Sequence, residues 1–252
     1  MLTLLDEREP PWFPDPMLSD ERGLVAVSEK LGPERIKLAY QKGIFPWMKM
    51  DHDPHFWCWF SPHPRMVLNP TELKVSKSME RLLRQNRFEI SIDSQFKATM
   101  RACASSERPG QESTWIEEDM INDYSQLHQE GIAHSIEAFE EGEMVGGLYG
   151  LAMGRVFFGE SMFHKKSNAS KVCFAHLAKV AVEWGIELID CQVHSQHLQS
   201  LGAQEIPRTQ YLNLLTQLLC PLPSIVNWKT LSQDNASRLP IAKSSARIVT
   251  ND

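Results

Sequence analysis

Four groups of residues in this 252-residue chain combine side-chain types and spacings that could do chemistry. The first is Ile189-Asp190-Cys191-Gln192, where Leu188 and Ile189 lead into a short strand. At a period of two, Asp190 and Gln192 share one face and Cys191 the other. Asp190 either caps the following turn or is an acid/base carboxylate partnered by the Gln192 amide. An amide donates and accepts but is no useful base, so in the second reading Asp190 is the basic member. The second is Glu160, a lone acid inside the apolar run Phe157 to Phe163. A carboxylate there must be paired, hydrogen-bonded or functional, because burying it bare costs several kcal/mol. The third is the cationic series Lys77, Arg81 and Arg84, spaced i, i+4, i+7 and extended by Lys74 and Arg87. It is either a solvated helix face or a set of phosphate contacts, which position a ligand without reading sequence. The fourth, Cys191 with His194 and His197, could suggest a metal or a Cys–His nucleophile, but no fourth ligand is near in sequence. Asp51, His52, Asp53, His55 and His63 read as a polar loop.

Composition narrows the class. An apolar fraction of 42% and a charged fraction of 23% are those of a globular protein with a sizeable core. No run reaches the roughly 20 apolar residues of a membrane helix, and the first residues lack the basic and apolar regions of a secretory signal. Five widely spaced cysteines without a C-x-x-C pair fit free thiols in a reducing cytoplasm. At a net charge of −6, any nucleic-acid contact must rest on a local patch. Neither of the glycine-rich nucleotide-phosphate signatures is present.

Residues 1–70 are rich in proline and hold four of the seven tryptophans, which predicts a small N-terminal domain of extended segments around one helix, Pro33–Lys42. Helices are predicted over Ser76–Arg87 with Ser76 as cap, Ser94–Ala104, Ile116–Gln129, Ala169–Trp184 with Asn168 as cap, and Pro207–Leu219. Strands are predicted over Phe88–Ile92, Ala133–Phe139, Met144–Met153, Arg155–Met162 and Glu187–Gln192. This order argues an α+β mixed sheet, with a larger domain over 71–228 and a polar tail over 229–252. Five glycines between Gly146 and Gly159 require either tight hairpins or a backbone that a ligand approaches closely.

Several ordered motifs resemble one known family over roughly residues 10–220. They are Gly23-Leu24-Val25-Ala26-Val27, Ala39-Tyr40-Gln41-Lys42-Gly43-Ile44-Phe45-Pro46-Trp47, Ser61-Pro62-His63-Pro64-Arg65, Thr114-Trp115-Ile116, Tyr124 with Leu127-His128, and Ala133-His134-Ser135-Ile136-Glu137. Leu148-Tyr149-Gly150, Gly159-Glu160-Ser161-Met162-Phe163, Asn168-Ala169-Ser170-Lys171, Ile189-Asp190-Cys191-Gln192 and Ser200-Leu201-Gly202-Ala203 follow. Together they resemble the leucyl/phenylalanyl-tRNA–protein transferases. Ser28-Glu29-Lys30, Trp59-Phe60 and His164 depart from the family's usual residues.

The resemblance implies a small N-terminal domain packed on a larger one similar to the GNAT acetyltransferase fold. It implies a cytoplasmic, monomeric enzyme that needs no metal or cofactor. The implied reaction moves Leu or Phe, and less securely Met, from aminoacyl-tRNA to the α-amine of proteins beginning with Lys or Arg, marking them for N-end-rule degradation. The alternative is a non-catalytic relative that binds aminoacyl-tRNA or N-termini. By the same resemblance Asp190 acts as base or polariser, Gln192 bridges to the amine, and Glu160 holds the aminoacyl group or the terminal adenosine. Trp47 and Trp115 would stack on that adenosine, with Ser161 also at this site. Leu148, Met162 and Phe174 would line the side-chain pocket, and Lys77, Arg81 and Arg84 would lie over the acceptor stem. The glycine-rich stretch becomes a wall facing the ligand.

Overall fold

The computed structural model describes residues 2–106 and 116–219. The expected tail at 229–252 and Trp115 lie outside the described residues. The first part of the chain forms β1 (Thr3–Leu4), β2 (Leu24–Ser28), α1 (Pro33–Gln41), β3 (Phe45–Met50) and β4 (Asp53–Phe60). Its strands make a four-stranded sheet in the order β1-β2-β4-β3. Pro33 opens α1, where its missing N–H costs nothing, and Ile36, Ala39 and Tyr40 form the buried face at helical spacing. The polar residues Asp51 and His52 turn the β3–β4 hairpin. Trp59 on β4 is fully buried, and its indole N–H donates to Ser28 Oγ at 2.8 Å.

The second sheet begins with β5 (Arg65–Leu68), followed by α2 (Lys77–Arg84), β6 (Glu89–Ile92), α3 (Phe96–Ala104) and α4 (Glu118–Gln129). Then come β7 (Ala133–Glu140), β8 (Glu143–Met153), β9 (Val156–His164), α5 (Ala169–Glu183), β10 (Leu188–Gln192), α6 (Gln196–Ser200), β11 (Gln204–Ile206) and α7 (Arg208–Leu218). The strands form one seven-stranded sheet, β11-β5-β10-β9-β8-β7-β6. All neighbours are antiparallel except β9 and β10, which are joined through α5 and run parallel. The architecture is therefore α+β with a mixed sheet.

Both faces of this sheet are covered, and the alternation along its strands sorts residues between them. Leu148, Phe157 and Ile189 belong to the core under α5. Their chain neighbours Tyr149, Phe158 and Leu188 belong to the opposite core, which continues into the small sheet through Tyr40, Phe45 and Trp59. The two sheets thus share one hydrophobic core.

The structure corrects two local expectations. Asn168 does precede α5, but it stands at φ 69° and its side chain makes no capping bond. Most of the glycines in the 146–159 stretch serve packing, not a ligand. A Cβ on Gly146 would lie 2.6 Å from the Ala169 Cβ, and one on Gly150 would lie 2.2 Å from the Phe158 carbonyl oxygen. Gly159 alone of the five lines the cavity described below. Ser76 caps α2 as expected, accepting from the Met79 N–H at 3.2 Å.

Candidate active site

Two bulges on neighbouring strands make the site. On β9, Gly159 pairs with Gly150 and Ser161 with Tyr149, which leaves Glu160 as the extra residue. On β10, Asp190 pairs with Val67 and Gln192 with Met66, which leaves Cys191 extra. Bulges re-aim side chains, and these two break the strict alternation on which the sequence reading relied. Parallel pairing of β9 with β10 ends at Phe158 and Asp190. Beyond it lies a cavity of about 370 Å³, lined from β9 by Glu160, Ser161 and Met162 and from β10 by Asp190, Cys191 and Gln192. Leu148, Phe174, Leu177 and Ile189 supply the apolar lining, and Trp47 of the small sheet closes one wall.

Glu160 is enclosed by neutral donors. Its Oε1 accepts from the Tyr40 hydroxyl in a very short bond and from Gln192 Nε2 at 3.1 Å. Its Oε2 accepts from the Tyr124 hydroxyl at 3.3 Å, and the two tyrosine oxygens are 3.0 Å apart. Burial pushes the Glu160 carboxyl up to about 7. The bonds from Tyr40, Tyr124 and Gln192 pull it back down, and the negative charge of Asp190 adds to the rise. Burial, reinforced by the Glu160 charge, holds both phenols well above their ordinary range, so they stay protonated as donors.

Asp190 has the opposite environment. Arg65 grips it through Nε to Oδ1 at 2.9 Å and Nη2 to Oδ2 at 2.6 Å. Tyr211 donates to Oδ2 at 2.7 Å and the Gln192 backbone N–H to Oδ1 at 2.9 Å. Four donors fill the four acceptor positions of a carboxylate. The expected partnership with the Gln192 side-chain amide is therefore not formed: Asp190 takes the backbone N–H of Gln192, whose amide goes to Glu160. No acceptor position of Asp190 is left for an incoming amine.

Of the residues singled out from sequence, Glu160, Gln192, Asp190, Trp47, Leu148, Met162, Phe174 and Ser161 all line the one cavity. Lys77, Arg81 and Arg84 do not line it; they occupy the exposed face of α2, with Arg84 3.2 Å from Glu80. His194 lies 3.4 Å from Glu205 and does not join Cys191 and His197 in a metal-binding group. Among the described residues, Asp93, His128 and His134 could converge on a metal, but their atoms are committed to each other and to the backbone. His134 Nδ1 lies 2.8 Å from Asp93 and its Nε2 3.0 Å from the Gly131 carbonyl, while His128 Nδ1 lies 2.8 Å from that of Ala133. Sequence reasoning missed Arg65, Tyr40, Tyr124 and Tyr211 as site residues. One signal was available: the chain has four tyrosines, and a phenol in a core needs a partner.

Comparison with known proteins places these residues in a family. Residues 67–216 match the leucyl/phenylalanyl-tRNA protein transferase family, and residues 29–63 match the N-terminal domain of the same transferases. A leucyl/phenylalanyl-tRNA–protein transferase of Nitrosospira multiformis is 52% identical over 202 residues, covering 80% of this chain and 85% of the relative. One from Syntrophobacter fumaroxidans is 48% identical over 215 residues, covering 85% and 89%. Among solved structures, a GCN5-related N-acetyltransferase from Kribbella flavida overlaps 71% of this chain and 63% of its own, at 11% identity and a TM-score of 0.36. That likeness is too loose to bear on fold or function.

Proposed function

The chain belongs to the leucyl/phenylalanyl-tRNA–protein transferase family and is an aminoacyltransferase; from that premise we propose how its cavity performs the transfer and on what. The donor is Leu or Phe on its tRNA, with Met a weaker candidate. The acceptor is the α-amine of a protein beginning with Lys or Arg, and the product is marked for N-end-rule degradation. The observation that carries the reading is Glu160, a carboxylate pushed up to about 7 and bonded to the Gln192 amide at an apolar cavity.

Transfer is aminolysis of an ester. The amine must lose a proton, its lone pair must form the C–N bond, and the bond from the carbonyl carbon to the ribose oxygen must break. A general base works best with a pKa near the working pH, and an α-amine titrates at about 7.7–8.0. Glu160 fits as the acceptor of the amine proton and as its donor to the departing ribose oxygen. Gln192 spends one Nε2 hydrogen on Glu160. Its other amide hydrogen is available to the oxyanion that forms in the tetrahedral intermediate, where a preorganised donor is most effective. Asp190, with its acceptor positions filled, holds the strand end and does not take the proton.

The apolar lining from Leu148, Met162 and Phe174 suits a Leu or Phe side chain. One methylene in such a pocket discriminates by only about 1–3 kcal/mol, which is why related apolar donors compete. Trp47 offers a stacking surface to the terminal adenosine, a contact worth about 1–3 kcal/mol per base. The exposed cations of α2 suit the acceptor-stem phosphates.

The purified protein, given labelled Leu-tRNA or Phe-tRNA and a peptide starting with Arg, is expected to return labelled peptide. Tight tRNA binding without product would reject the catalytic reading in favour of a binding protein.

A further inference from the structure

Gln192 carries the amide proposed to face the reaction, yet its backbone stands at φ 64°, in the left-handed region. A Cβ makes that conformation unfavourable, so its surroundings must impose it. Two contacts do so: the Val193 N–H donates to the Cys191 carbonyl at 2.8 Å across Gln192, and the Gln192 N–H donates to Asp190 Oδ1 at 2.9 Å. The second contact is the one that ties Gln192 to a side chain, so its position also depends on whatever fixes the Asp190 carboxylate.

Arg65 and Tyr211 fix it. The Arg65 guanidinium is fully buried and lies between the Phe45 ring, 4.8 Å from its centroid, and the Tyr211 ring, at 4.5 Å. Its Nη1 donates to the Gly43 carbonyl at 3.2 Å, and Nε and Nη2 make the two-pronged grip on Asp190. Tyr211 adds its hydroxyl to Oδ2. Gly43 permits this stacking, because a Cβ there would lie 2.9 Å from the Tyr211 ring and 2.6 Å from Leu212. Four segments meet at one guanidinium: the turn after α1, β3, β10 and α7.

We infer that Arg65 and Tyr211 are positioning residues for aminoacyl transfer, acting through Asp190 to hold Gln192 in the left-handed conformation that aims its amide at Glu160. A role in stability alone accounts poorly for the arrangement. Buried ion pairs are often replaceable by apolar side chains without loss of stability, whereas here the pair ends on the backbone of the strained residue. Because Arg65 also holds the Gly43 carbonyl and packs on Phe45, the small sheet's seating is coupled to the geometry of Gln192.

The inference rests on the proposed role of Gln192 in transfer, and its test has one arm that does not. Tyr211→Phe keeps the ring under Arg65 and deletes one donor to Asp190; Arg65→Lys keeps the charge and loses the two-pronged grip. Crystal structures of the two variants are expected to show Gln192 displaced from its left-handed conformation and its amide off Glu160. An unmoved Gln192 in Tyr211→Phe overturns the inference whatever reaction the site runs. In the transfer assay, Tyr211→Phe is expected to lower kcat roughly fivefold to tenfold, with KM for the aminoacyl-tRNA within about twofold. Arg65→Lys approaches the ~100-fold loss that misplacement by an ångström can cause. In a Gln192→Ala background, Tyr211→Phe should lower kcat no further; losses that multiply would mean that Tyr211 acts independently of Gln192, and the inference falls.

Discussion

Glu160 and Asp190 sit on adjacent strands, each at or beside a bulge, and each is met by tyrosine. Asp190 has a guanidinium on both oxygens, a phenol and a backbone N–H, and its acceptor positions are full. Glu160 has two phenols and an amide, all neutral. Charge compensation is what separates them. A carboxylate gripped on both oxygens by arginine is useful as an anchor. A carboxylate buried among neutral donors is held near the point of gaining a proton, and is useful for moving one. Two similar side chains thus divide into a fixed part and a working part by their neighbours alone.

Replacing each carboxylate breaks the comparison most directly. Glu160→Gln retains the shape and the hydrogen-bonding partners and loses the proton acceptor, so kcat is expected to fall by about 10²–10⁴ with little change in donor KM. Asp190→Ala leaves Arg65 buried without its counter-charge and is expected to cost about 3–5 kcal/mol in denaturant-measured stability. Equal stability losses in the two variants would erase the distinction.

The pH dependence sharpens it. If ionised Glu160 accepts the proton, kcat should rise about tenfold per unit below a midpoint near 7 and level off above it. Stability runs the other way. The unfolded chain releases this proton near 4.5 and the folded one near 7, so Glu160's contribution is full below 4.5 and is lost as pH rises to 7. Above pH 7 the ionised group costs the fold on the order of 3 kcal/mol, and Glu160→Gln should be more stable than the parent at pH 8 by that order. Melting curves at pH 5 and pH 8 check this; a stabilisation that does not grow with pH removes Glu160 as the titrating group.

The sequence carried the scaffold much further than the wiring. The strands at 133–164 and the helix at 169–183 came from periodicity and lie within two residues of the expected ends. Glu160 stood out because an acid in an apolar run requires an explanation. The division of labour between the two acids was not legible, because it depends on two bulges and on partners 21 to 125 residues away in sequence. Periodicity of two put the Asp190 and Gln192 side chains together, and a single extra residue at Cys191 sent them to different partners. Arg65 lay in a recognised motif, but nothing local marks one arginine as the counter-ion of an acid five strands later in the chain. Three of the four tyrosines place their hydroxyls on these two carboxylates. Spacing within one element cannot reveal such convergence.

The smallest expected effect tests whether the phenols tune Glu160 or merely touch it. A hydrogen bond to the ionised carboxylate favours that form, so removing one should raise the carboxyl further above its ordinary value. Tyr40→Phe preserves the ring's edge-on packing against Phe158 at 5.0 Å and deletes the shorter of the two bonds. Tyr124→Phe deletes the one at 3.3 Å, which is weaker and less favourable to ionisation. Both variants should shift the midpoint of the kcat–pH profile upward, Tyr40→Phe by more and Tyr124→Phe by less than about one pKa unit, or 1.36 kcal/mol. At pH 8.5 and above, their kcat values should approach that of the parent, because excess base compensates for a raised pKa but not for a lost catalytic contact. A loss of kcat that persists undiminished at high pH would give the tyrosines a direct part in transfer. A midpoint that stays fixed in both variants would mean that the profile reports some group other than Glu160, and the contrast with Asp190 would have to be drawn elsewhere.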